Sequence, residues 1–194
     1  MNVRFAAIVS VLAVGTAAYA QDRAPRETVT ALVNGNKVAV EYGRPALKGR
    51  TVAELLGQLP ANRVWRLGQD QATTLNTEVP VLIGGQKIPA GKYTLYLYAP
   101  EGSERFILVN SDLGVPLKTI FAAAPPELAD ALWPQMDYTP VKAKEVARIP
   151  LKSVKPAEPM ERMLIGLAPA RDNVSSITVT WGDQAWTADI RPAK

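Results

Sequence analysis

The chain has 194 residues, 22 Lys and Arg against 18 Asp and Glu, and 47% hydrophobic residues. That is the size of one domain with enough apolar content for a real core. It contains no histidine and no cysteine, which excludes disulfides, the usual zinc, copper and haem ligand sets, and any Ser-His-Asp or Cys-His catalytic arrangement. An enzyme would be left with Asp/Glu, Lys, Tyr or Ser-Lys chemistry, or an oxygen-ligated Ca²⁺ or Mg²⁺.

The first twenty residues read as an export signal. Arg4 is the positive n-region, "FAAIVSVLAVGTAA" the apolar stretch, and Ala18-Tyr19-Ala20 an A-x-A cleavage site that puts Gln21 at the mature start. The stretch is short for a membrane span and lacks a basic stop-transfer flank. The expected location is therefore the periplasm or the medium, without stable membrane insertion after cleavage. Removing Arg4 takes the 22 Lys and Arg to 21 against 18 acids. That mild excess does not argue for nucleic acid.

"QDRAPR" (21–26) is a polar, flexible leader, and a single β-rich domain is expected over 27–194. "TVTALVNGNKVAVEYG" (28–43) is a hairpin. Val38, Val40 and Tyr42 alternate with Lys37, Ala39 and Glu41, and Asn34-Gly35-Asn36 supplies residues that tolerate positive φ. "RPALKGR" follows as a corner. Thr51 and Glu54 form a capping box for a short helix over 51–60, whose apolar face is Val52, Leu55, Leu56 and Leu59 and which Pro60 ends.

After "VWRLGQDQATT" (64–74), strands are expected over 72–83, 87–100 and 105–110. On the middle one, Tyr93 should lie on the face opposite Tyr96 and Tyr98, with one set outward. Residues 111–144 contain five prolines and a short helical stretch at 126–133. They are long for a loop in a compact domain and suggest a lid or a structured excursion. Strands follow at 145–154 and 160–168, and a second hairpin at 176–191. About nine or ten short strands, no long helix and one-face alternation indicate an all-β antiparallel sandwich or jelly-roll-like barrel with one or two short helices.

"VAVEYGRPALKGR", "ELLGQLPANRVWRLGQDQATT", "IGGQKIPAGKYTLYLYAP" and "ITVTWGDQAWTADI", in that order, resemble the bacterial exported family catalogued as domain of unknown function 2911. The shared pattern is a strand ending at a small corner, K/R-G-R, a short helix, V-W-R-x-G-x-x-x-A-T, I-G-G, P-x-G-x-Y-x-L-F and a late strand ending in Trp. It spans about residues 27 to 191. The resemblance implies a signal-bearing β-rich domain with no assigned reaction, so no catalytic residue carries over. The middle departs from the pattern. Where the family often has a Trp-Gly pair before an acidic, tyrosine-containing stretch, Trp133 is followed by Pro134.

The richest concentration of polar chemistry is the basic stretch between Tyr42 and Arg66, where Arg44, Lys48, Arg50, Arg63 and Arg66 face only Glu54. The candidate ligand-binding residues are Arg44, Lys48, Arg50, Trp65, Arg66 and Asp70. Each has two readings. Trp65 either plugs the core or offers a stacking platform. Asp70 either holds its own loop in an Asx-turn or acts as an acid/base. Arg44 and Arg66 either pair internally with Asp70, Glu41 or Glu54, or grip an anion. No catalytic residue, metal ligand or cofactor is assigned. The expected partner is a small anionic or carbohydrate ligand, or another envelope protein. The alternative is a hydrolase using Asp/Glu with tyrosine or arginine support.

Overall fold

A computed structural model describes residues 26–193. The expected export signal at 1–20 and the leader as far as residue 25 lie outside the described residues. The alternation at the start of the domain produces β1 (Arg26–Val33) and β2 (Asn36–Gly43). Asn34 and Gly35 turn between them at φ 51 and 77, the two left-handed positions that favour Asn-Gly in a tight hairpin. That turn sets Val33 opposite Asn36 and therefore Glu27 opposite Tyr42.

The sheet continues antiparallel from β2 to β4 (Thr74–Thr77), β7 (Gly91–Tyr98), β8 (Arg105–Asn110) and β11 (Glu145–Val154). β11 is the corner strand. Residues 145–151 pair with β8, and Lys152–Val154 with β14 (Gln184–Pro192). β14 pairs with β13 (Val174–Gly182), and β13 with β12 (Met160–Arg171). β12 packs back against β1, and the Tyr42 hydroxyl donates to Ile165 O at 3.1 Å. The sheet thus nearly closes into the expected antiparallel barrel. Its interior holds the main core, from Val33, Val38 and Val40 through Leu95, Leu97 and Ile149 to Trp181 and Trp186.

Two expected strands are each divided at a proline. The 72–83 stretch stops before Pro80 and resumes as β5 (Val81–Ile83), which leaves β4's neighbours and pairs with β14. The 87–100 stretch is β6 (Gln86–Ile88), then Pro89-Ala90, then β7. Proline has no N–H for the ladder, which favours a break there. Helix α1 (Val52–Gly57) carries the expected box: Thr51 Oγ1 accepts from Glu54 N at 3.2 Å and Glu54 Oε2 accepts from Thr51 N at 2.7 Å. Its buried face, Val52 and Leu56, plugs one barrel end together with Leu47.

The stretch 111–144 is a structured excursion. It contains β9 (Val115–Pro116) paired with β10 (Leu132–Trp133), helix α2 (Leu117–Ile120), and 3₁₀ turns at Pro126–Leu128 and Thr139–Lys144. The helix expected over 126–133 shrinks to one turn, because Leu132 and Trp133 are drawn into extended pairing and Leu132 O accepts from Ala72 N at 2.9 Å. The excursion also corrects the tyrosine expectation. Tyr93 faces the main core and Tyr96 the opposite side, but Tyr96 is 1% exposed there. It sits in a second core with Val64, Leu108, Tyr138 and Val141. Among the described residues no helix is long and apolar enough to cross a membrane.

Candidate functional site

"GRPALKGR" and "VWRLGQDQATT" meet at the barrel end that α1 plugs. Leu47 N donates to Glu161 O and Met163 N to Pro45 O, each at 3.0 Å, which zips the first segment along β12. β3 (Val64–Trp65) pairs with β7 and positions the second. The two loops touch backbone to backbone: a Cβ on Gly43 would lie 2.2 Å from Gln69 O. Any side chain there has to push the loops apart. Gly43→Ala is therefore expected to lose about 1–3 kcal/mol of stability, the usual range for overpacking. Urea unfolding checks this, and an unchanged midpoint would mean that the corner is loose.

The corner holds an open concavity of ≈ 380 Å³, and its lining includes Lys48, Arg50, Trp65, Arg66, Asp70 and Trp181. Five of the six candidate residues are thus brought together. The aromatic floor is a pair. Trp65 stacks on Trp181 with centroids 5.0 Å apart and planes 11° from parallel. Trp181 is the inner ring, 4% exposed, and Trp65 the half-buried outer one. Nε1 of Trp181 is buried without an acceptor, which is uncommon for a buried donor. Trp181 lies on β13, and no local signal links it to Trp65, because the pairing depends on how the barrel closes.

Arg44 does not join the other five. Its Nη1 pairs with Glu27 Oε1 at 2.5 Å and its Nε donates to Met163 O at 3.0 Å. The hairpin register explains this, since Glu27 faces Tyr42 and lies diagonal to Arg44 on the same side of the ribbon. The other acids offered as internal partners are occupied as well. Glu41 takes Arg26 at 2.8 Å, and Glu54 caps α1. Arg66 is left with Asp70, which favours its charged form, while burial, the larger influence, holds its pKa below the usual arginine value. Its Nη1 also reaches Met136 Sδ at 3.6 Å, a weak acceptor. The excursion therefore borders the site through Met136, a residue the sequence did not single out.

Backbone strain concentrates at this end. Lys48, Arg63 and Leu67 have left-handed φ, at 52, 56 and 48. The other non-glycine cases, Asn34, Asp70, Asp172 and Asn173, are types that tolerate that region in turns. Leu67 is fully buried and held there partly by Thr73, whose Oγ1 donates to Leu67 O at 2.8 Å. Such outliers collect where loops hold side chains for binding.

A tyrosine–carboxylate pair occurs elsewhere, beneath the excursion. The Tyr138 hydroxyl donates to Glu145 Oε2 at 2.9 Å and accepts from Asn110 Nδ2 at 3.2 Å, while Arg148 binds Glu145 through Nε and Nη2. Burial pushes the Tyr138 phenol well above its ordinary value. A phenol held protonated and tied on both sides fastens the excursion to the sheet and is poorly suited to exchanging protons. Among the described residues no group of three or more acids is placed to hold a metal ion.

Over residues 24–190 the sequence matches a family described as "Protein of unknown function (DUF2911)". No curated protein and no solved structure matches the chain.

Proposed function

The chain belongs to the DUF2911 family of proteins of unknown function, and we propose that it is an exported, non-catalytic β-barrel module that binds a small anionic or carbohydrate ligand in the corner between its two loops, "GRPALKGR" and "VWRLGQDQATT". The observation that carries this reading is the convergence of Lys48, Arg50 and Arg66 around the stacked Trp65–Trp181 pair, with Asp70 the one carboxylate lining the concavity. A hydrolase of the Asp/Glu type needs a second acid, or a tyrosine or lysine, converging with the first on the substrate. The Tyr138–Glu145 pair, which has that composition, is engaged in holding the excursion.

Arg66→Met tests the proposal, because it keeps side-chain length and removes charge. The guanidinium is half-buried, and its desolvation is only partly offset by Asp70. Stability of the variant is therefore expected to hold or rise slightly. In the wild-type chain a bound anion at about 100 times its Kd adds about 2.7 kcal/mol. Added phosphate or citrate should thus raise the wild-type melting temperature and leave the variant unaffected. Loss of stability on substitution, together with wild-type melting indifferent to every anion tried, would assign Arg66 to internal pairing and remove the proposal's main support. Export is tested separately by N-terminal sequencing of protein from the periplasm and the medium, with Gln21 the expected first residue.

A further inference from the structure

We infer that the ligand class is an acidic saccharide, with the sugar ring on the outer face of Trp65, its carboxylate among Arg66, Arg50 and Lys48, and ring hydroxyls donating to Asp70. This rests on the binding reading above and narrows it. A site for a simple anion such as phosphate needs cations and N–H donors. Here the lining also includes two stacked indoles, whose apolar carbons an inorganic anion leaves unused. Trp181 covers one face of Trp65 and is itself buried, so the part of the half-buried outer ring that lines the concavity is what a flat or chair-shaped partner would meet. The C–H face of a pyranose has that shape and polarity.

Asp70 separates an acidic saccharide from an aromatic acid. Its carboxylate lines the same concavity as three cations and sits on a left-handed backbone at φ 62. Toward a bare anion, or a benzoate-like ligand whose only polar group is its carboxylate, that charge is repulsive. Toward a ligand that also carries hydroxyls it is an acceptor with two oxygens, and hydrogen bonds to a charged acceptor are among the stronger ones. The cations in turn distinguish the ligand from a neutral sugar, which has no charge for them to meet. A concavity of ≈ 380 Å³ is at the small end of the range for ligand sites, suited to one or two rings with the remainder of a chain in solvent.

The test is titration of the purified full chain with D-galacturonate, D-glucuronate and their short oligomers, followed by calorimetry and tryptophan fluorescence, with D-galactose, citrate and benzoate as comparators. The uronates or their oligomers should bind and perturb tryptophan emission, with D-galactose weaker by about tenfold or more through loss of the charge-assisted contact. Asp70→Asn should weaken uronate binding by about tenfold while leaving citrate binding unchanged or tighter. Trp65→Phe, which retains a ring and the fold, should weaken the uronates more than citrate. If citrate or benzoate binds at least as tightly as every uronate, or Asp70→Asn strengthens uronate binding as it does citrate, the saccharide inference is overturned and the anion-binding reading stands. If none of these compounds binds, both fall together.

Discussion

Between pH 10 and pH 12 the folded state is expected to lose about 5 kcal/mol from two tyrosines, a third or more of the stability of a typical domain. Tyr42 and Tyr96 are 0% and 1% exposed. Burial, aided at Tyr42 by the Glu27 carboxylate, pushes each phenol from 10.0 up to about 12. At Tyr96 the Gln135 backbone pulls the value down somewhat, although the hydroxyl finds no partner of full hydrogen-bond geometry. Below pH 10 both phenols are protonated whether the chain is folded or not, so they add no pH dependence. Between 10 and 12 the unfolded chain releases the protons and the folded chain retains them, so stability falls as pH rises, by about 1.4 kcal/mol per pH unit for each group. Tyr138, also raised by burial, extends the loss upward, and its ionisation sets a phenolate against Glu145. Urea midpoints measured from neutral pH upward, alongside phenolate absorbance, give the result directly. Tyr96→Phe isolates the cause: it removes a buried hydroxyl with no partner, so it should hold or gain stability at neutral pH and flatten part of the alkaline slope. An alkaline profile identical to wild type in that variant would sink the assignment of Tyr96.

The parts of this fold that were legible in the sequence are those whose cause is local. The Asn34-Gly35 turn fixes the register of β1 and β2, and the Thr51–Glu54 capping box starts α1. The alternation of Ile177, Val179 and Trp181 against Trp186, Ala188 and Ile190 makes the last hairpin. Within the site, the meeting of the two loops follows from a short helix between two strand ends, and Gly43 marks the place where they touch. Internal pairing is one of the two sequence readings of Arg44, but its partner is Glu27 and not Asp70, Glu41 or Glu54. Counting pairs back from the Asn-Gly turn puts Glu27 opposite Tyr42 and beside Arg44. By contrast, three features depend on long-range closure: the stacking of Trp65 on Trp181, the approach of Met136 to Arg66, and the burial of Tyr96 under the excursion. Periodicity reports which face a side chain takes and cannot tell what later covers that face.

Trp65→Ala is expected to destabilise the chain by about 3 kcal/mol, the low end of the range for truncating a large aromatic in a core. The low end applies because the ring is half-buried, so part of its surface is already in water. The loss has two sources. Trp65 packs against the main core, and its removal leaves a void at the barrel end beside α1. It also uncovers the apolar ring of Trp181, which it shields. The second source is separable by a double-mutant cycle with Trp181→Phe, in which the stacked pair should show a coupling of about 0.5–1.5 kcal/mol. Trp65→Phe keeps a ring on the floor and should lose less than the alanine variant. The two readings of Trp65, core plug and ligand platform, are joint in this geometry, since the same ring stacks on Trp181 and lines the concavity. Stability and ligand binding should therefore fall together on Trp65→Ala. If stability is unchanged and only binding is lost, the indole is a platform that the core does not need. If stability falls and the anion response survives intact, the ring is a plug, and the ligand is held by Arg66, Arg50 and Lys48 without it.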